Sequence, residues 1–322
     1  MLPTNILLTG GAGFIGSNIL DALLNDPRVG NVRVLDNLLT GSLNNIQHHF
    51  DNPRFEWMKG DIRDLDTCMN ACENMQLVCH QAALGSVPRS IQDPTTTNAI
   101  NITGTLNVFE AARLNGIKRI VFAASSSTYG DHTALPKVEQ NIGKPLSPYA
   151  VTKLVNELYA DVYAKLYNIQ MVGLRYFNIF GPRQSPNGPY AAVIPQFLQC
   201  FEDNIAPAIN GDGSFSRDFT FVNNAVNANL LALFTTNDQA VNQIYNIACG
   251  YATNLNQVVQ TLRDITGKNI DAQHKPNRPG DIPHSLADIS KASNLLGYKP
   301  SELFKEGLEK TYQWFKQQHN PA

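Results

Sequence analysis

The chain has 322 residues, with 25 Lys and Arg against 27 Asp and Glu, a formal charge of −2, and only 16% charged residues. That length supports one or two domains around a large core, and so even a balance, without a run of one sign, excludes the electrostatic footprint of a nucleic-acid binder. There is no stretch of about 18 apolar residues, which excludes a membrane-spanning helix, and MLPTNILLTGG at the N-terminus lacks the charged region and cleavage site of a secretory signal.

The five cysteines, Cys68, Cys72, Cys79, Cys200 and Cys249, form no CxxC pair. Their odd number fits reduced, buried thiols and a cytoplasmic location. Cys68 and Cys72 can share a helix face, but they lack nearby His or Cys partners for a tetrahedral site, so no metal is expected.

In chain order, short apolar runs alternate with amphipathic stretches. NILLTG leads to a helix over about 13–24; VRVLDN and LVCHQAA follow, then a helix over about 98–114, RIVFAAS, a helix over about 148–166, and MVGLRYFN. This rhythm predicts an α/β fold, a doubly wound parallel sheet of the Rossmann type. The turn-rich GPRQSPNGPY, INGDGSFSRDF and KPNRPGDIPHS break it, which predicts a smaller mixed lobe carrying ligand loops. The expected division is a dinucleotide-binding domain over 1–176, joined by returning segments from about 215–250, and a substrate lobe mainly over 177–322.

The first strand runs into Gly10-Gly11-Ala12-Gly13-Phe14-Ile15-Gly16. Glycines at this spacing allow a tight turn and close backbone approach to a pyrophosphate, which the N-terminus of the next helix then meets. Asp36, twenty residues past Gly16, ends the strand VRVLD; a carboxylate there suits the free ribose hydroxyls of NAD and repels the 2′-phosphate of NADP. Arg33 precedes it in the same strand and reads as a solvated surface charge. Asp61, in MKGDIRD, is a second acid placed to meet the adenine.

Tyr149 and Lys153 stand four apart, on one face of a helix that Pro148 can begin. A free phenol, with a pKa near 10, is a poor base at neutral pH. A neighbouring ammonium and the positive nicotinamide favour its ionised form, making Tyr149 a candidate general base for an alcohol proton. Ser125 opens the hydroxyl-rich Ser125-Ser126-Ser127-Thr128-Tyr129-Gly130 directly after RIVFAAS, at a strand end where it can share that proton.

TGGAGFIG, the Asp36 spacing, SSSTYG, the Tyr149–Lys153 pair and GLRYFN together resemble the extended short-chain dehydrogenase/reductase family, in particular its nucleotide-sugar epimerases. HQAALGSVPRS, SPYAVTK, AAVIP, INGDGSFSRDF and RPGDIPHSLADISKA carry the resemblance through nearly the whole chain, toward the branch acting on UDP-N-acetylhexosamines and their uronic acids. The resemblance implies an NAD-dependent UDP-sugar 4-epimerase, active as a homodimer through helices 98–114 and 148–166 and feeding surface polysaccharide synthesis. It implies that Gly10, Gly13, Phe14, Ile15, Gly16, Asp36, Asn37, Asp61, Ile62, Gln81, Ala82, Ala83, Asn101, Tyr149, Lys153 and Phe177 surround NAD. On the UDP-sugar side it implies Ser86, Ser125, Ser126, Asn178, Val193, Asn210, Arg217, Arg278 and Asp281. The two arginines also suit a diphosphate on grounds of charge.

Related 4,6-dehydratases carry an Asp-Glu pair where this chain has Ser126 and Ser127, so dehydration lacks its acid. Ser285 falls at the position that, by resemblance, gates the sugar's C2 substituent; a serine leaves room for N-acetyl where a tyrosine crowds it out. UDP-GlcNAc and UDP-GalNAc are the expected pair, with the corresponding uronates as the alternative. A binding protein without turnover is the contrasting possibility, and the presence of Ser125, Tyr149 and Lys153 together speaks against it.

Overall fold

The computed structural model describes residues 3–186, 191–276 and 282–319. The apolar runs become the strands of one sheet: β1 (Thr4–Thr9), β2 (Val29–Asp36), β3 (Phe55–Lys59), β4 (Leu77–His80), β5 (Arg119–Ser125) and β6 (Gln170–Tyr176). Short strands follow: β7 (Ile179–Phe180), β8 (Ala208–Asn210), β9 (Ser216–Arg217) and β10 (Thr220–Phe221). Then come β11 (Gln243–Ile247), β12 (Thr253–Asn254) and β13 (Gln273–Lys275). The large sheet has seven strands in the order β11-β6-β5-β4-β1-β2-β3, all neighbours parallel. This is the doubly wound α/β fold expected. The order reverses between β1 and β4, so a crevice opens beyond their carboxyl ends.

The helices are α1 (Phe14–Asn25), α2 (Leu65–Cys72), α3 (Val87–Gln92), α4 (Pro94–Asn98), α5 (Thr105–Leu114) and α6 (Pro148–Tyr167). Beyond β6 lie α7 (Val193–Glu202), α8 (Val222–Phe234), α9 (Leu255–Thr266), α10 (Ser290–Leu296) and α11 (Phe304–His319). Among the described residues no helix is long and apolar enough to cross a membrane. β1, β4 and β5 are largely apolar runs because helices cover both faces of the sheet. One core cluster joins α1 and α8 to the sheet and the C-terminal helices; a second joins α2, α5 and α6 to the other face.

β3 is the strand-like run that precedes Asp61. It lies at the sheet edge, where Glu56 and Lys59 face solvent. The helix expected from about residue 98 begins earlier, at Pro94, and continues through a π-helical stretch, Ala99–Gly104, into α5. That wider turn lets buried Asn101 reach back: its Oδ1 accepts from the Leu84 N–H at 2.8 Å, and its Nδ2 donates to Leu84 O at 3.0 Å.

α6 carries the candidate catalytic pair and is defined at both ends. Ser147 caps it, accepting from the Ala150 N–H, Pro148 occupies the first turn, and Asn168 leaves it in a left-handed conformation. Its inner face is pinned to β6 by the Glu157–Arg175 ion pair, bidentate at 2.7 and 2.8 Å and almost wholly buried. Breaking such a pair leaves an uncompensated buried charge, a cost of about 3–5 kcal/mol. The opposite face carries Val151, Leu158, Val162 and Leu166, all exposed. Their spacing places them on one stripe.

Candidate active site

The crevice at the β1/β4 reversal is a cleft of about 410 Å³. Its floor is the glycine loop, and the loop's geometry fits a dinucleotide. Gly10 has φ 71, and a Cβ there would stand 2.6 Å from Ala82 N; one at Gly16 would stand 2.1 Å from Gly10 O. The loop is therefore folded more closely than any residue with a Cβ at these two positions allows. Gly13 caps α1 without a side-chain acceptor, so the first-turn N–H groups and the positive end of the dipole remain for an anion.

Asp36 lines the cleft, and its carboxylate ties the glycine loop to the turn after β2, accepting from the Ala12 N–H at 3.0 Å and the Leu38 N–H at 2.8 Å. Burial raises its pKa, and the backbone bonds partly offset that rise. Arg33 differs from expectation. Its guanidinium is mostly buried and donates to Asn70 O, Ala71 O and Glu73 O, with an ion pair to Glu56 at 2.9 Å. It satisfies the last carbonyls of α2 rather than meeting solvent.

Gly10, Gly13, Phe14, Ile15, Gly16, Asn37, Ile62, Gln81, Ala82 and Ala83 line the same cleft. Asp61 lies behind Asn37, from which it accepts at 2.8 Å, and pairs with Arg63 at 2.7 Å; the Arg63 bonds hold its carboxyl down at about 2. Asn101 is fully buried with its amide committed to Leu84 and Thr152, so it shapes the loop over the cleft from behind. Phe177 is likewise fully buried, packed against Tyr129. Cleft residues not singled out from sequence include Thr40, Ala123, Ala124, Tyr176, Ile179 and Gln184. Only Tyr176, within GLRYFN, had a usable signal.

Tyr149, Lys153 and Ser125 meet on the cleft wall. Burial raises the pKa of the Tyr149 phenol, and the neighbouring Ser125 hydroxyl offsets only part of that rise. Lys153 Nζ stands 5.9 Å from the Tyr149 ring centroid and donates to Ala123 O at 2.8 Å. The protein groups alone thus do not ionise the phenol, contrary to the simplest expectation from the pair. Burial pushes the Lys153 ammonium down to about 8, against the charge of Glu157 one turn along the helix.

Of the sugar-side residues, Asn178 lines the cleft in a left-handed conformation, φ 38. Ser126 follows Ser125 in a 3-10 turn, and Ser86 caps α3 through the Arg89 N–H. Val193 opens α7 and Asn210 closes β8, both half-buried. Arg217 lies on β9, and Ser285 is bound beside it, its N–H donating to Ser216 O at 3.1 Å. Arg278 and Asp281 lie outside the described residues.

This sheet, loop and helix define a dinucleotide-binding α/β enzyme. The model of the NAD dependent epimerase/dehydratase family matches residues 6–248. A UDP-glucose 4-epimerase of Mycolicibacterium smegmatis is 34% identical over 312 residues, covering 96% of this chain and 98% of that protein. The UDP-N-acetylglucosamine 4-epimerase of Methanobrevibacter ruminantium, solved with UDP-N-acetylmuramic acid, superposes with a TM-score of 0.93 at 38% identity, covering 99% of this chain and 100% of that one. The UDP-glucuronic acid 4-epimerase of Bacillus cereus, solved with UDP-glucuronic acid and NAD, gives 0.90 at 32%, covering 98% and 99%. The chain belongs to the NAD dependent epimerase/dehydratase family, and NAD is its cofactor.

Lys153 yields a test with a definite sign. A lysine depressed from 10.5 to about 8 penalises the folded state fully below pH 8, and the penalty fades between 8 and 10.5, an effect of about 3 kcal/mol. In protein stripped of NAD, Lys153→Met is expected to melt at or above the parent's temperature at pH 7, with the difference shrinking toward pH 10. A melting temperature several degrees lower at pH 7 would contradict this.

Proposed function

We propose that the protein interconverts UDP-GlcNAc and UDP-GalNAc by epimerisation at C4. The observation that carries this is the meeting of Tyr149, Ser125 and Lys153 on the wall of the cleft whose floor fits the dinucleotide. Tyr149 takes the proton of the sugar's C4 hydroxyl and Ser125 shares it. The Lys153 ammonium, with the positive ring of the oxidised cofactor, offsets the burial that disfavours the phenolate. NAD, when bound, supplies the acceptor and donor of the C4 hydride. The 4-keto sugar turns over while its UDP stays held, and Tyr149 and Ser125 return the proton to O4 on the other face. Because each turnover restores the cofactor, NAD stays bound between cycles.

Ser126 and Ser127 bring hydroxyls and no carboxyl to this loop, which supports epimerisation over dehydration. UDP-sugar recognition is assigned to Ser86, Ser126, Asn178, Val193, Asn210, Arg217, Arg278, Asp281 and Ser285. The half-buried Ser285 hydroxyl leaves space at the C2 substituent. The likeness to a UDP-glucuronic acid epimerase supports a UDP-N-acetylhexosaminuronate as the alternative substrate. A second copy of the chain is assigned to the exposed apolar stripe of α6, and the five free thiols support a cytoplasmic setting.

Incubation with UDP-GlcNAc, the corresponding uronate and UDP-Glc, with the epimers resolved, is expected to show fastest conversion of the first; no conversion of any would reject the assignment. Tyr149→Phe should cut kcat by about 10³ or more while NAD remains bound, since it removes proton transfer; near-parental turnover would remove Tyr149 as the base. Ser285→Tyr should suppress the N-acetylated pair and spare UDP-Glc, and equal losses on both would contradict the gate. Light scattering should return twice the mass of the chain; the mass of a single chain would reject the dimer.

A further inference from the structure

Residues 283–288 form a strap that is stitched down on both sides. Toward β9, the Ser216 N–H donates to Pro283 O at 3.0 Å and the Ser285 N–H to Ser216 O at 3.1 Å. On the other side, the Lys137 N–H donates to Leu286 O at 2.7 Å and the Asp288 N–H to Lys137 O at 2.9 Å. Between these lies Asp218, whose side chain is wholly shielded from solvent. Its Oδ1 accepts from the Cys249 N–H at 2.9 Å; its Oδ2 accepts from the Gly250 N–H at 3.0 Å and the Ala287 N–H at 3.3 Å. Its partners are backbone amides, not a cation. One buried carboxylate therefore ties the strap to the segment leaving β11, where Gly250 turns with φ 75.

The backbone of Asp218 extends the same junction toward the cleft. Its carbonyl accepts from Asn178 Nδ2 at 3.4 Å. Arg217, immediately before it, donates from Nη1 to Ser216 O at 2.9 Å and Pro283 O at 3.2 Å, at the root of the strap. Asn178, Arg217 and Ser285 are thus held at fixed spacing through this one residue and its neighbours. We propose that Asp218 is the positioning residue of the UDP-sugar site: it touches neither sugar nor cofactor, and its carboxylate sets the strap that carries the gate against the arginine that meets the diphosphate. The proposal rests on the assignment of Arg217 and Ser285 to a UDP-sugar. Burial raises the Asp218 carboxyl to about 6, so near neutral pH it remains the acceptor that these amides require.

Asp218→Asn keeps the shape but has one acceptor oxygen, so its NH₂ must face a backbone N–H on one side of the junction. The variant is expected to retain NAD, to raise KM for UDP-GlcNAc about tenfold or more, and to change kcat by less than about threefold, because the charge-assisted acceptor that is lost holds only the segments carrying the UDP-sugar residues. Calorimetry with UDP alone should show a parallel loss of affinity. Unchanged KM and UDP affinity in a variant that retains NAD would overturn the proposal, as would equal falls in kcat and NAD content. If Asp218→Asn does not fold, Ala287→Pro removes the strap's donor while also fixing the local φ, and is expected to give the same KM-selective loss with NAD retained; a parental KM there overturns the proposal. A parent that binds UDP yet converts none of the sugars would count against the epimerase assignment and leave the UDP arm to decide on Asp218.

Discussion

The ammonium of Lys153 sits where the interior does not favour charge, and the surroundings of the cleft are arranged around that fact. Its side chain is 3% exposed, and its Nζ donates to the carbonyl of Ala123 near the end of β5. Glu157, one turn further along α6, favours its charged form, yet Glu157 is itself spent on Arg175. Beneath, His80 is fastened between Thr9 and Thr105 at 2.7 and 2.9 Å, and burial together with the Lys153 charge holds it down at about 3. A protonated imidazole there would compete with the ammonium, so a neutral one is the compatible neighbour. The residue costs stability where it stands, which is what a group kept for function rather than for folding looks like.

The same economy governs the glycine loop and α6. The loop has no room for a Cβ at Gly10 or Gly16 because the chain folds back on itself and on Ala82. That compactness brings the first turn of α1 against the position of the pyrophosphate. α6 is capped by Ser147, ionically tied to β6, and supported by Ser90, whose hydroxyl accepts from the Tyr149 N–H at 3.1 Å. A phenol that must meet one carbon of a sugar is thus carried on an element fixed at its start, along its inner face and beneath its first turn.

Around the large sheet, β1, β2, β4, β5 and β6 with α1, α5 and α6 were legible because buried strands are apolar runs between amphipathic helices; α2, α8 and β11 were not singled out. β3 showed only as a strand-like run before Asp61, since Phe55–Lys59 sits at an edge and keeps its charges outside. The glycine loop, Asp36 and the Tyr149–Lys153 pair could be read from spacing, which reflects the local geometry of a turn and a helix. Arg33 could not: its burial under the last turn of α2 depends on a packing partner 37 residues or more away. Nor could the commitment of Asn101 to Leu84, which arises from a π-helical register that no side-chain pattern announces. The strap over 283–288 and the Asp218 junction are contacts across 30 residues or more, and spacing within the chain does not encode them.

The direction of the proton at the Ser125–Tyr149 pair follows from the loop that holds it. Ser125 Oγ accepts the backbone N–H of Ser127 at 3.1 Å, a donor that cannot reverse, and lies 2.9 Å from the Ser127 hydroxyl. A serine oxygen has two lone pairs and one proton. The fixed N–H occupies one lone pair, so the Ser125 proton stays available to the neighbouring Tyr149 oxygen, whose pKa the serine lowers. The 3-10 turn Ser126–Tyr129 therefore does more than end β5. By occupying one acceptor site on Ser125, it leaves that hydroxyl able to donate to the phenol, favouring the ionised tyrosine in a site where burial opposes it.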